Sequence, residues 1–331
     1  MARSAVLALI ALLCALLSGC PRTDQSLVLV GGQRVDAARI DGDPLGLLPG
    51  GAILTGTLDA RALFASPMGA QMTQIVEQLV PLGPESRFVP KRDVARVHGA
   101  VYAMQGADFC AVIQGSFDVA AIEQAAQARL ATPRGVRLVA TPYAGYSIYT
   151  VANQGFVVLT PQTVLSGNET GMRRALDRLR FGRLSHDLEP WMDELLRGES
   201  AAFAVVGDVG KQGVLEAAGG GLPFVNGMRL VRVLGNFRPP GMNLVGSATY
   251  ADATSAAEGA ESVGRLREVA SLVSLLAAFG IGAQFPTFEV QQQGNDVAFA
   301  TSADTGFMQL VLATIAQAFR PAAQSGGWVG G

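Results

Sequence analysis

Histidine, cysteine and lysine are scarce in this 331-residue chain, which holds two His, three Cys and, among 25 basic residues, only Lys91 and Lys211 as lysine. With His98 and His186 far apart, there is no His-x₃-His, no Cys-x₂-Cys and no Asp-rich loop, so the spacings that hold zinc or calcium are absent. A Gly-x-Ser-x-Gly nucleophile elbow is missing too, and no cofactor motif or Walker lysine accompanies Gly219-Gly220-Gly221, which reads as a linker. Charge is thin (16% of residues, net −2), so nothing draws the chain to nucleic acid. Long apolar runs are also lacking: the uncharged stretch Val269 to Phe288 is interrupted by Gly280, Gly282 and Pro286, leaving too short a helix to span a bilayer. What the chain does have is apolar content, 49% hydrophobic with mean hydropathy +0.31, enough for a large core in one large or two medium domains.

The N-terminus carries an address. Arg3 supplies a short positive region, and positions 5 to 17 form an unbroken apolar stretch, the length of a signal-peptide core rather than a span. It ends in Leu17-Ser18-Gly19-Cys20, which resembles the lipobox of bacterial lipoproteins. The resemblance implies that residues 1–19 are removed and that Cys20 carries acyl chains that hold the protein to a membrane. Pro21, where Asp would signal inner-membrane retention in such proteins, points to the outer membrane, with the body facing the periplasm. With Cys14 removed and Cys20 acylated, Cys110 has no intrachain partner and reads as a buried small hydrophobe in the run Phe109 to Ile113.

Residues 20–46 read as the lipidated cysteine and a tether. The body is expected to be α+β, a tandem duplication of a β-α-β-β-α-β-β-α unit with mostly antiparallel sheets and helices on one face. Ala95-Arg96-Val97-His98-Gly99 matches Val231-Arg232-Val233-Leu234-Gly235, and Glu169-Thr170-Gly171-Met172 matches Asp304-Thr305-Gly306-Phe307, at offsets of 136 and 135. The first unit spans 47–182, a connector 183–197, the second unit 198–320, and a tail 321–331. In the first unit a helix is predicted over 60–80, and a hairpin joins Tyr146 to Val151 with Phe156 to Leu165. In the second, a helix runs from Ala253 to Phe279 and a hairpin turns at Gly294-Asn295. The strand–helix alternation and Leu48-Pro49 are similar to uncharacterised exported proteins of the DUF3352 type, a likeness that implies no activity.

Each chemical candidate has a structural reading beside it. His98 sits in a strand and has Leu234 as its counterpart in the other unit, which argues for burial. Ser185-His186-Asp187 holds the letters of a catalytic triad, but triad members converge from separate segments, and Ser185 reads as a helix cap. Asn168 reads as the cap of the helix that follows it. Arg173, Arg174, Arg178, Arg180 and Arg183 cluster around that helix, where they read as a solvated face beside Asp177 ahead of a contact for anionic headgroups or polysaccharide. An apolar groove lined by Leu272, Leu275, Leu276, Phe279, Phe307, Val311 and Ile315 is expected if the protein carries a ligand, although core is the simpler account.

The sequence therefore points to a lipid-anchored envelope lipoprotein without an evident catalytic site or cofactor, a structural or interaction module whose partners are the membrane, through Cys20, and an envelope protein or lipid. The alternatives are a carrier or chaperone for a lipid or hydrophobic peptide and, behind it, a hydrolase.

Overall fold

Among the described residues twelve strands form one sheet in which every neighbour is antiparallel, with Leu54–Asp59 and Phe203–Asp208 paired at its centre. The computed structural model describes residues 35–80, 82–103, 108–128, 138–151, 153–198, 200–211, 223–277, 288–306 and 308. In chain order these comprise α1 (Ala37–Gly42), α2 (Pro44–Leu47), β1 (Leu54–Asp59), α3 (Ala60–Ala65), α4 (Gly69–Leu79), α5 (Pro90–Asp93), β2 (Val94–Ala103), β3 (Asp108–Gly115) and α6 (Val119–Gln127). Then follow β4 (Val139–Tyr143), β5 (Tyr146–Val151), β6 (Gln154–Val158), β7 (Thr163–Asn168), α7 (Glu169–Arg180) and α8 (Pro190–Arg197). The remainder is β8 (Phe203–Asp208), β9 (Met228–Asn236), β10 (Gly241–Tyr250), α9 (Ala253–Ala277), β11 (Phe288–Gln293) and β12 (Asp296–Asp304). The α+β class with antiparallel pairing is as expected. The lipobox, the linker glycines and the tail lie outside the described residues.

The helices do not lie on one face, as expected, but on both. Alternation along the strands assigns this: Ile148, Val157 and Leu165 join one core with α7 and α8, whereas their neighbours Tyr149, Phe156, Val158 and Val164 join another with α3 and α6. Strands buried on both sides read as continuous apolar runs, which is how Phe156 to Leu159 reads, whereas Ser147 and Thr150 interrupt Tyr146 to Val151. The first core closes over fully buried Met172, Ala175, Leu176 and Leu179 of α7 and Leu196 of α8. A third cluster gathers Ala256 of α9 with Tyr250 and Val297, and the Tyr250 hydroxyl donates to Phe224 O at 2.6 Å.

Three local expectations are corrected. The segment Phe156 to Leu165 is two strands, since Thr160 Oγ1 accepts from Gln162 N and Thr163 N and closes a turn around Pro161. The strand β4 precedes this group and pairs with β5 through a turn at Ala144 and Gly145, both at positive φ. The helix predicted over 60–80 breaks into α3 and α4 at Ser66-Pro67, where Ser66 Oγ bonds back to Leu63 O at 2.6 Å and leaves the helical path.

The end of the segment expected to be a tether is folded. Residues 35–46 belong to the folded body, with Ile40, Leu45 and Leu47 in the first core. Asp36 caps α1, and Asp43 followed by Pro44 opens α2 with the cap and N1 pairing that suits a helix start. The connector likewise carries a helix, α8, started by Pro190.

Because Leu176 is wholly buried between α7 and the sheet, Leu176→Ala is expected to lower unfolding free energy by about 2–5 kcal/mol in urea denaturation. A loss below about 1 kcal/mol would mean that α7 does not close this core.

Candidate functional site

The densest polar chemistry lies where the N-terminal segment crosses α7 and α8. Asp41 leads: its Oδ1 accepts from Thr160 Oγ1 at 2.5 Å and Thr163 Oγ1 at 2.6 Å, and its carbonyl accepts from Gln114 Nε2 at 2.8 Å. Two arginines of α7 then reach the segment's backbone. Arg178 Nε donates to Gly46 O at 3.0 Å and Arg174 Nη2 to Gly50 O at 2.8 Å. Arg178 spends its other nitrogens on Asp187 Oδ2, at 3.0 Å, and on the carbonyl of Ser185, so one guanidinium ties the N-terminal segment to the connector.

His186 completes the clasp. Its Nε2 lies 2.6 Å from Asp43 Oδ1 and its Nδ1 2.6 Å from Asp193 Oδ1. Arg197 Nε donates to Asp193 Oδ2 at 2.9 Å, and its Nη2 stands 3.3 Å from Asp43 Oδ1, so both carboxylates are shared between His186 and Arg197. Asp43 thereby serves both as α2 cap and as ligand of α8, across more than 140 positions of sequence. A general base needs one ring nitrogen facing the nucleophile. Both nitrogens of His186 face carboxylates, and Ser185 offers its carbonyl, to Arg178. Nor does Ser185 cap a helix: α8 starts after Glu189, without a side-chain cap bond.

The five clustered arginines therefore divide. Arg173 pairs with Glu169 at 2.6 Å and lies 4.5 Å from the Tyr143 ring, while Arg174 packs 4.5 Å over Tyr102. Arg178 is largely buried, with 12% of its side chain exposed, which no solvated face would give. Only Arg180 and Arg183 flank an open surface, beside half-exposed Phe181. Sequence reasoning missed the carbonyls as targets because they lie 124 and 132 positions away.

Other expected residues fall into place singly. Asn168 caps α7, accepting from Gly171 N at 3.0 Å, and also accepts from Phe109 N at 3.3 Å. Cys110 is buried and its thiol is pushed up to about 12 by burial, which keeps it protonated and unreactive. Of the expected groove, Leu272, Leu275 and Leu276 lie in α9, although their side chains, like all of Phe279, Phe307, Val311 and Ile315, are outside the described residues. No described helix is long and apolar enough to cross a membrane, and no described group of three or more His, Cys, Asp or Glu could hold a metal ion.

Under the clasp, His98 is 4% exposed on β2, opposite buried Thr57 of β1, and among the described residues neither ring nitrogen has a hydrogen-bond partner. Burial pushes its pKa from 6.5 down to about 4, with the charges of Arg96 and Arg197 acting in the same direction and nearby Gln114 and Asp43 acting against them. The folded protein thus binds fewer protons here than the unfolded chain. His98 leaves stability intact above pH 6.5 and erodes it as pH falls toward 4, by about 3 kcal/mol in all. His98→Leu, the residue found at position 234, is expected to flatten that part of the profile; thermal unfolding of both proteins from pH 7 to 4 measures it, and parallel profiles would contradict the assignment.

Against known proteins, no family model matches the chain and no curated protein matches it. Among solved structures, TP0453 in crystal form I is similar, with TM-score 0.50 and 13% identity over 83% of this chain and 97% of that one. The same protein in crystal form III gives TM-score 0.49 and 14% identity over 83% and 98%. At that identity the likeness is one of fold, and it covers nearly the whole of TP0453.

Proposed function

We propose that the chain is a lipoprotein of the bacterial cell envelope, held to the outer membrane by acyl chains on Cys20, and that its body acts without catalysis as a structural or interaction module in the periplasm. The observation that carries this reading is the clasp. The segment that follows a lipid anchor is where a membrane would pull, and this segment is bound by Gln114, Thr160, Thr163, Arg174, Arg178, His186 and Arg197, drawn from four separate parts of the body. Where one partner is ionised and the bond is part-buried, as for Arg174, Arg178 and Asp41, such bonds stabilise by about 1.5–3 kcal/mol each, more than most surface ion pairs. The carrier alternative depends on side chains of residues 272–319 that lie outside the described ones.

The duplication reading belongs with this proposal, and the strand order supports it. Outward from the central β1–β8 pair, one side runs β1, β2, β3, β7, β6 and the other β8, β9, β10, β12, β11. The matched sequence segments fall on β2 and β9 and at the ends of β7 and β12, while α6 and α9 each follow the third strand of their half. Asp59, which caps α3 at the end of β1, has Asp208 as counterpart at the end of β8. The β4–β5 hairpin has no counterpart among the described residues of the second half.

Anchoring has a direct test. Cells fed an alkyne-bearing fatty acid are expected to label the wild-type protein in the membrane fraction, and Cys20→Ser is expected to lose the label and leave that fraction. An unlabelled wild type, or a label that survives Cys20→Ser, overturns the anchor.

A further inference from the structure

Next to the clasp, a cavity of about 140 Å³ opens between the N-terminal segment, the connector and the adjoining ends of β1 and β8. Its lining mixes polar and apolar groups, and of the apolar ones Leu45, Leu48, Met192 and Val206 are all buried. Thr55 lines it too, 3% exposed and with no hydrogen-bond partner for its hydroxyl among the described residues. Three carboxylates, Asp187, Glu189 and Asp208, share the lining, and no Lys, Arg or His does.

The volume sets the size of a ligand. An apolar protein cavity of about 150 Å³ takes up benzene, so this space suits about six carbons and falls well short of an acyl chain, since pockets for larger ligands run to about 300–1,000 Å³. The charge sets its sign. Asp187 is paired with Arg178 and Asp208 has an interaction partner of its own, but Glu189 is exposed and has no ion pair among the described residues, so one unpaired negative charge lies at the edge of the cavity beside its apolar side chains. The N-terminus of α8 opposes this only in part, with a partial charge of about half a unit.

We propose that this cavity is a binding site for a small organic cation, an ammonium group on a compact apolar body, with the body among Leu45, Leu48, Met192 and Val206 and the charge at the carboxylates. The Thr55 hydroxyl supplies a hydrogen-bonding group in the wall. The site is separate from the anchor, and ligand binding and lipidation can each fail without the other.

Three probes of nearly one shape test it: benzylammonium, benzyl alcohol and benzoate, titrated calorimetrically into the purified full chain at pH 7. Benzylammonium is expected to bind at least tenfold more tightly than benzyl alcohol, and benzoate is expected not to bind. Glu189→Gln, at an exposed position that makes no side-chain cap bond, should cut the preference for the cation at least threefold while leaving benzyl alcohol unchanged. Ala52→Phe, which fills the cavity from its half-buried edge, should remove binding of both. No binding of benzylammonium, equal binding of cation and alcohol, or an unchanged preference in Glu189→Gln overturns the proposal, and the last of these stands even if Ala52→Phe fails to fold.

Discussion

The attachment of residues 36–50 to the body is the interaction on which the rest of the molecule depends. Arg178 bridges a carbonyl of that segment and a carbonyl and carboxylate of the connector, so α2, α7 and the approach to α8 cannot move independently. His186 and Arg197 do the same for Asp43 and Asp193. Beneath these bonds Ile40, Leu45 and Leu47 complete the core over the first face of the sheet. Polar fixation and apolar burial thus act on one segment from its two sides, and the cavity beside it exists because Pro49, Gly50 and Gly51 arch between α2 and β1.

The sheet gives this arrangement its stiffness. β1 and β8 pair at the centre over five residues each, so the two halves share one ladder instead of meeting through side chains. The face beneath the clasp is more polar than most sheet interiors, with Thr55, Thr57 and His98 all buried. Burying such groups without partners costs stability. The apolar clusters on both faces offset that cost, and His98 makes this centre sensitive to acid.

Much of the fold was legible in sequence. Alternation and turn residues located β1, β2, β3 and the β11–β12 hairpin, whose Gly294 takes the positive φ that such a turn requires. The 3.6-residue pattern located α6, α7 and most of α9. What stayed hidden was hidden for physical reasons. Tyr146 to Val151 sends Ile148 into one core and Tyr149 into the other, but Ser147 and Thr150 break the apolar run that would mark a strand covered twice, and a hairpin account needs only one cover. Thr160-Pro161 ends a strand through a side-chain bond to the next amide, which apolar spacing does not register. The folded end of the expected tether did leave a signal in Asp43-Pro44, a cap and first-turn pair. The arginine cluster left none, since its function depends on carbonyls far along the chain.

The central claim is that side chains of α7, α8 and the connector hold the N-terminal segment to the body. Hydrogen exchange of the amides of Ile40 to Leu48, compared between the wild type and Arg178→Ala, tests it most directly. The account predicts slow exchange in the wild type and fast exchange in the variant, with the amides of β5 to β7 still protected. Fast exchange of this segment in the wild type, or equal protection in the two proteins, would contradict it.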